Sequence, residues 1–450
     1  MNLLAEINVN HRFRDPIHGF IWLNDAELKI IDTLIFQRLR RVHQLALTKY
    51  VYPTAEHSRF VHSLGVLQAA TNIFLEILKY SDSQGYFGKN NKERIAFFKT
   101  LRFAALIHDI GHPPFSHAAE NEFLSDGIRH EDVSSYIINN YKPISSIIQK
   151  EGVEPKIVGG LLTDKYKKEY SIIKKIISGQ FDADRADYLL RDSHICGVKY
   201  GEYDYYRYIQ SFIVDIVDDD ICLNINEKNV SIMESFLMAR YHYNLQIPYH
   251  RTRTGLDIVL KKYIKKLRTQ ERIREFVTKD KGSSKTIKIK EMDFDYFEDL
   301  DDYEIFNNIK QDNRGNNYWA KILMRSDHLV PILDIKSCGE GDSLKYKSFI
   351  KKLKDSQYKE DEDFFRYKKN LKFSNFADSS EKQGEKKENT IFVLNSNKEK
   401  ICDIVKYSPV FNQLISPVKL YRVYVKGCHK ESAQSIYMNV CSHFNELRDV

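Results

Sequence analysis

A mainly α-helical fold with a smaller mixed α/β C-terminal region is what this 450-residue sequence predicts. Three observations carry it. Apolar residues recur at three- and four-residue spacing through much of the first half. Period-two alternation is confined to short stretches, and strand-like runs gather near the end.

From Ala26 to Leu47 the residues Leu28, Ile31, Leu34, Ile35, Leu39, Val42 and Leu45 keep helical spacing, with Arg and Gln between them. That pattern predicts one amphipathic helix. The same periodicity predicts helices over Leu64 to Tyr80, Arg94 to Ile110, Ala183 to Arg191, Met233 to Leu245 and Leu256 to Arg268. Alternation in "ICLNI" and "VSIM", separated by "NEKN", predicts a short hairpin before the Met233 helix. "KDKGSSK" marks a loop. Further on, "TIFVLN" and "LYRVYVK" read as strands, and "ESAQSIYMNVCSHFNEL" reads as a closing helix.

These elements divide the chain into a helical core over residues 1–270 and a helical or irregular extension over 271–376. A flexible connection follows at 377–390, "ADSSEKQGEKKENT", which has too few apolar side chains for a core. A small α/β region closes the chain at 391–450.

Lys and Arg number 69 against 62 Asp and Glu, a net charge of +7 without a long basic tail. That balance suits anionic ligands. The six cysteines are dispersed and form no CxxC pair, so they read as reduced thiols and not as a disulfide framework or a zinc site. "MNLLAEINVNHRFRDP" has no apolar signal segment, and no later run is expected to span a bilayer. The expectation is a cytoplasmic protein that meets no membrane.

Chemistry concentrates in "FAALIHDIGHPPFSHAAE", residues 103–120, where an apolar helix stops on His108 and Asp109, and Gly111, Pro113 and Pro114 end it. A neutral imidazole and a carboxylate together suit a divalent metal such as Mn, Fe, Mg or Zn. Alone, such a dipeptide is more often a locally hydrogen-bonded pair. His62 at the opening of one helix and Asp184 near the start of another change that balance, because two His and two Asp at helix ends can converge on one ion. In "QFDADRADYLLRD", Asp184, Arg185, Tyr188 and Asp192 share one helix face. An exposed salt-bridged face is the bland reading, and Tyr188 with the following leucines argues for partial burial.

The order His62, His108-Asp109, Asp184 resembles the H…HD…D signature of HD-domain metal phosphohydrolases. "DPIHGFIWL", "IIDTLIFQRLRRVHQL", "YPTAEHSRFVHSLGV", "HDIGHPPFSH" and "DADRADYLLRD" are similar to the dNTP triphosphohydrolase branch. Within it they resemble most the catalytic core of the vertebrate SAM-and-HD-domain enzymes and their bacterial relatives. The resemblance covers roughly the first 270 residues and, more faintly, the end. It implies an HD-domain helical core with an N-terminal arm and no SAM domain. The implied reaction converts dNTP and water to deoxynucleoside and triphosphate.

The resemblance implies metal ligation by His62, His108, Asp109 and Asp184. It gives His117 the catalytic imidazole, with His112 and His130 as neighbouring active-site histidines. Glu120 stands where the family has Asp. Arg59, Arg185 and Arg240 match phosphate-binding positions, Arg185 replacing a Lys. Tyr188 and Asp192 match residues that hold sugar and phosphates, Gln44 a reader of the 3′-hydroxyl, and Leu45 an apolar wall. Pro248, with Tyr249 beside it, takes the place of a tyrosine that crowds the ribose 2′-position. That departure leaves discrimination against ribonucleotides open. Asp32, Gln37, Arg40, Asp204 and Arg207 match a regulatory nucleotide site, and His11 stands near Arg12 and Arg14 where the family has Lys. The partners so implied are a dNTP substrate, a regulatory GTP or dNTP, and a homo-oligomer, a tetramer by resemblance.

The basic charge and 28 tyrosines keep single-stranded nucleic acid a candidate partner. Two other functions fit parts of the sequence: an HD phosphohydrolase acting on another nucleotide phosphate ester, and a nucleotide-sensing or nucleic-acid-binding subunit whose HD site is silent. Pool control and phage defence are both roles a dNTP-consuming enzyme could serve.

Overall fold

The computed structural model describes residues 3–446 apart from 82–86, 89, 126, 218–219, 280–288, 326, 338–339, 374–390, 396 and 415. The expected 377–390 connection and most of the "KDKGSSK" loop lie outside the described residues. The fold is mainly helical with mixed α/β parts, as the periodicity predicts. Two compact units interleave along the chain. One comprises Met1–Tyr243, Arg274–Ile305 and Phe376–Asn412, and the other Asn244–Ile273, Phe306–Asn375 and Gln413–Val450. The expected division at 270, 376 and 390 is linear, and the units are not. Each collects segments by long-range strand and helix packing that local composition does not register.

In the first unit the buried helices Arg59–Ser81, Asn91–Ile107 and Ala183–Cys196 carry the chemistry-bearing residues. Arg59–Lys79 is long and apolar enough by composition to cross a bilayer, contrary to the expectation that no run would be. That window is 72% buried inside the protein, so it reads as a core helix. Gly65 makes its packing possible: a Cβ there would lie 1.9 Å from Asp187 Oδ1 and 2.4 Å from Arg191 Nη2 on the Ala183–Cys196 helix.

The predicted helix from Ala26 to Leu47 is broken. Asp25–Ile31 ends at Asp32, Leu34–Gln37 follows, and 3₁₀ turns span Arg38–Arg41 and Ala46–Tyr50. Polar side chains capture the carbonyls a continuous helix would use. Thr33 Oγ1 donates to Ile30 at 2.7 Å and Gln37 Nε2 to Ile31 at 2.8 Å. The predicted hairpin also differs. "ICLNI" lies in the strand Asp220–Asn226, which pairs antiparallel with Phe212–Val217, while "VSIM" opens the helix Val230–Gln246. A short apolar run fits either element, and Phe212–Val217 supplies the better partner. "TIFVLN" forms Phe392–Leu394, parallel to Asp220–Asn226 in the same four-stranded sheet.

The second unit has an antiparallel three-stranded sheet with Val418–Lys426 between Leu329–Ser337 and Phe364–Leu371. The helices Glu340–Asp355 and Lys430–Glu446 bury Phe349, Leu353 and Ala433 with Leu333 and Val423 of that sheet. The closing helix is where the sequence predicts it.

Candidate metal centre and histidine cluster

The Asn91–Ile107 helix ends on His108, and the chain turns at Gly111, where a Cβ would come within 2.4 Å of His130 O and Ser134 N. Only glycine admits that approach, and it brings the residues after the His-Asp pair against the His130–Asn140 helix. His62 projects from the first turn of Arg59–Ser81. Asp182 caps Ala183–Cys196 by accepting the N–H of Arg185, which places Asp184 in that helix's first turn.

Four predicted metal-type residues meet here. His62 Nε2 lies 3.0 Å from Asp184 Oδ1 and 3.7 Å from Asp109 Oδ2, and the His62 and His108 rings are 5.3 Å apart. Ligand atoms of His62, His108 and Asp109 all fall within 4.8 Å of one another. His108 Nδ1 donates to the Ala105 carbonyl at 2.9 Å, which leaves Nε2 as an acceptor. That atom is buried and, among the described residues, has no hydrogen-bond partner. An orphaned imidazole nitrogen beside two carboxylates and a second imidazole fits a divalent cation.

The electrostatics agree. Burial opposes charge on His62, but hydrogen bonds to Asp184 and Asp187, and their charges, push it up to about 10. Burial works to raise Asp109, yet Arg59 first, then His108 and His112, hold it well below the usual carboxylate range. Asp184 likewise stays low against burial because of its hydrogen bond with His62 and that residue's charge. A divalent cation held there would displace the Nε2 proton of His62.

The second predicted set also assembles. Glu120 Oε2 is 2.9 Å from His117 Nδ1, and Oε1 is 2.8 Å from His130 Nδ1 while accepting the His130 backbone N–H at 2.8 Å. The longer carboxylate arm thus spans both imidazoles. His112 stacks on His130 at 3.7 Å and meets His117 edge-on at 4.7 Å. His112 is fully buried, and among the described residues neither ring nitrogen has a hydrogen-bond partner, although Nε2 comes within 3.3 Å of Asp109 Oδ1. Burial, then the charges of Arg59 and His130, hold His112 well below its ordinary value, so it stays neutral. His117 is 64% exposed and opens the cluster to solvent.

Arg59 pairs with Asp109 and donates to Ser116 Oγ at 2.7 Å, buried with them. Arg185 pairs with Asp182 and donates to the Gly179 carbonyl. Arg240 lies close enough that the Arg185 charge adds to burial in lowering it. Asp192 accepts from Tyr243, whose ring lies 5.2 Å from that of Tyr188. Leu45 is buried, and Gln44 Oε1 is buried without a hydrogen-bond partner among the described residues. Arg40 Nε donates to Gln37 Oε1 at 2.8 Å and is drawn to Asp32. Asp204 accepts the Arg207 backbone N–H at 3.1 Å. Among the described residues these two groups share no hydrogen bond or ion pair. His11 pairs with Asp25 at 2.7 Å, and Arg12 and Arg14 lie over Phe20. Pro248 and Tyr249 belong to the second unit, where their carbonyls accept from Arg253 and Arg422.

Sequence reading missed an inner network. Asp187 bridges His62 Nδ1 at 2.8 Å, His18 Nε2 at 2.7 Å and both nitrogens of an Arg191 fork. Arg191 also donates to Asp15 at 2.8 Å, and His57 Nε2 lies 2.7 Å from Asp192 Oδ1. The i,i+4 spacing of Asp187 and Arg191 is the one signal that was present, and it reads equally as a surface pair.

A family model described as "HD domain" matches residues 59–192. The chain is 34% identical over 254 residues to the uncharacterized protein YwfO of Bacillus subtilis, covering 56% of this chain and 54% of that protein. It is 30% identical over 254 residues to the deoxynucleoside triphosphate triphosphohydrolase SAMHD1 homolog of Dictyostelium discoideum, covering 55% and 47%. To the human deoxynucleoside triphosphate triphosphohydrolase SAMHD1 it is 29% identical over 289 residues, covering 57% and 45%. The chain spans about half the length of the curated relatives it matches. A crystal structure of a hypothetical protein from Aquifex aeolicus aligns with a TM-score of 0.74 at 26% identity, covering 95% of this chain and 99% of that one.

Proposed function

We propose, from the premise that residues 59–192 are an HD domain, that this chain is a metal-dependent dNTP triphosphohydrolase. The observation that carries the proposal is the pairing of two sites. A His62, His108, Asp109 and Asp184 donor set with an orphaned His108 Nε2 lies beside a histidine cluster wired to one carboxylate. The similarity to two named dNTP triphosphohydrolases supports the choice of substrate.

His62, His108, Asp109 and Asp184 would hold the divalent metal, Mn, Fe, Mg or Zn. When bound, it supplies Lewis acidity toward phosphate oxygens and a lowered water pKa. The chain's own groups do the rest. Arg240, whose charge burial and the neighbouring Arg185 disfavour, gains by receiving a polyanion, and Arg185 beside it adds a second cation. Attack of water at the α-phosphorus breaks the bond to the 5′-oxygen, which needs a proton to leave as a deoxynucleoside. His117, accessible and anchored by Glu120, provides it as an imidazolium, and His130 on the same carboxylate fixes Glu120 in place. Neutral, buried His112 offers one hydrogen-bond donor and one acceptor without adding charge. Gln44, with its unpartnered Oε1, is assigned the sugar hydroxyl, and Tyr188 and Asp192 the sugar and phosphates. A regulatory nucleotide at Asp32, Gln37, Arg40, Asp204 and Arg207, and a tetramer built on it, complete the proposal.

The test is to incubate purified protein with each dNTP and Mn²⁺ or Mg²⁺ and separate the products. Deoxynucleoside with inorganic triphosphate is the expected outcome. Release of pyrophosphate, or hydrolysis of nucleoside monophosphates alone, would instead favour another phosphate ester.

A further inference from the structure

The loop from His112 to His117, which follows the metal-type pair, holds a costly backbone. Phe115 and Ser116 sit side by side at φ 58° and 52°, neither of them glycine. Such a conformation persists where its surroundings over-determine it, and such places are often functional. Here part of the surroundings comes from residues 294–305, outside the HD match.

Asp302, its side chain fully buried, accepts the Phe115 backbone N–H through Oδ1 at 2.7 Å. Its Oδ2 accepts the His43 backbone N–H at 3.0 Å and lies 2.6 Å from His43 Nδ1. Arg38, equally buried, donates to the His112 carbonyl at 2.8 Å and the Leu300 carbonyl at 2.6 Å. Ser116 Oγ donates to the His43 carbonyl at 3.0 Å and accepts from Arg59 Nε, whose other arm pairs with Asp109.

We infer that Asp302 is a positioning residue for the reaction. By clamping Phe115 and His43 together it sets Ser116 and, through Arg59, the orientation of Asp109 beside His112. Its consequence for turnover rests on the proposed triphosphohydrolase reading; the clamp itself does not. A residue that only stabilises the fold would change the folded fraction. A positioning residue changes kcat in a protein that remains folded and loaded.

The experiment compares the full chain with Asp302→Asn, His43→Ala and His43→Asn. Asp302→Asn turns an amide nitrogen toward the two His43 donors. His43→Asn keeps a side-chain donor near the Nδ1 position that His43→Ala removes. The readouts are kcat and KM on a dNTP with Mn²⁺, Mn²⁺ content, thermal midpoint, and hydrogen exchange of the peptide spanning residues 108–119. Asp302→Asn and His43→Ala should lower kcat about tenfold or more and speed exchange about tenfold, with KM and Mn²⁺ content within about twofold, and His43→Asn should recover both to within about threefold. Unchanged kcat and exchange, or a kcat that falls only in step with lost metal or folded protein, would overturn the inference. A wild-type chain that turns over no dNTP would refute the functional reading instead, and the exchange measurement alone would then decide the clamp.

Discussion

Asp187 Oδ2 lies 2.8 Å from His62 Nδ1, while the other oxygen of Asp187 lies 2.7 Å from His18 Nε2. The carboxylate is fully buried. Burial works to raise it, but Arg191 and its hydrogen bonds with His18 and His62 keep it ionised. An ionised acceptor at Nδ1 fixes the proton there and leaves Nε2, which faces Asp109 and Asp184, as the nitrogen that would give up its proton to hold a metal. The first prediction follows: Asp187→Asn should weaken Mn²⁺ affinity by about 10–100-fold, the usual reach of an outer partner on a ligating histidine. Calorimetric titration of Mn²⁺ into the variant measures it. Wild-type affinity would leave Asp187 a purely structural partner of Arg191.

Variants in the histidine cluster should separate binding from turnover. His117 meets Glu120 and the edges of two rings, and among the described residues it shares no hydrogen bond or ion pair with the four metal-type residues. Replacing it with Ala should leave metal content and nucleotide binding in place and slow triphosphate release by about a hundredfold, the range for one acid-base group. Single-turnover kinetics across pH is the measurement, and an equally active variant would place the proton elsewhere.

Much of this was legible in the sequence for a definite reason. His62, Asp109 and Asp184 stand at helix ends, where side-chain type, capping and breakers are all local signals, so their convergence could be expected before any packing was known. The network behind them was not legible. Asp187 and Arg191 keep the spacing of an exposed helical pair, and only the approach allowed by Gly65 shows that the pair is buried. Long-range strand pairing hid the rest. "TIFVLN" and "LYRVYVK" lie close in sequence yet join different sheets, and the segment carrying Asp302 reaches the Phe115 loop across a separation of 187 residues.

Regulation gives the next expectation. Gln37 and Arg40 are already linked, Asp32 draws the Arg40 charge, and Arg40 lies over the Phe60 ring at 3.5 Å. Asp204 caps a separate helix by accepting the Arg207 backbone N–H, and the Arg207 guanidinium donates to Asn229. A ligand that joins two such groups across subunits favours assembly by linkage. Mass in solution and dNTP hydrolysis should therefore respond to a second nucleotide, GTP or a dNTP. Asp32→Ala with Arg40→Ala should blunt that response and leave Mn²⁺ content unchanged. A monomer fully active on single dNTPs, indifferent to any second nucleotide, would count against the regulatory site.

The last prediction concerns pH and the carboxylate shared by two imidazoles. Burial tends to raise Glu120, but hydrogen bonds from His117 and His130 hold it far below its ordinary 4.5. Burial tends to lower His130, but its hydrogen bond with Glu120, and the charges of Glu131 and Glu120, raise it above 6.5. The signs differ. The depressed carboxylate contributes stability above its unfolded pKa and loses it as pH falls through the folded value. The raised imidazole contributes stability that is complete below 6.5 and is lost as pH rises through its folded value. The pair is therefore most stabilising between about 4.5 and 6.5, and its contribution declines from there toward pH 8. Glu120→Gln removes the anion that raises His130, so the variant should lose less stability than wild type between pH 5.5 and 8, a difference read from urea unfolding midpoints at the two values. Equal losses in the two proteins would mean that His130 does not hold its proton through Glu120, and the shared-carboxylate account of the cluster would fail with it.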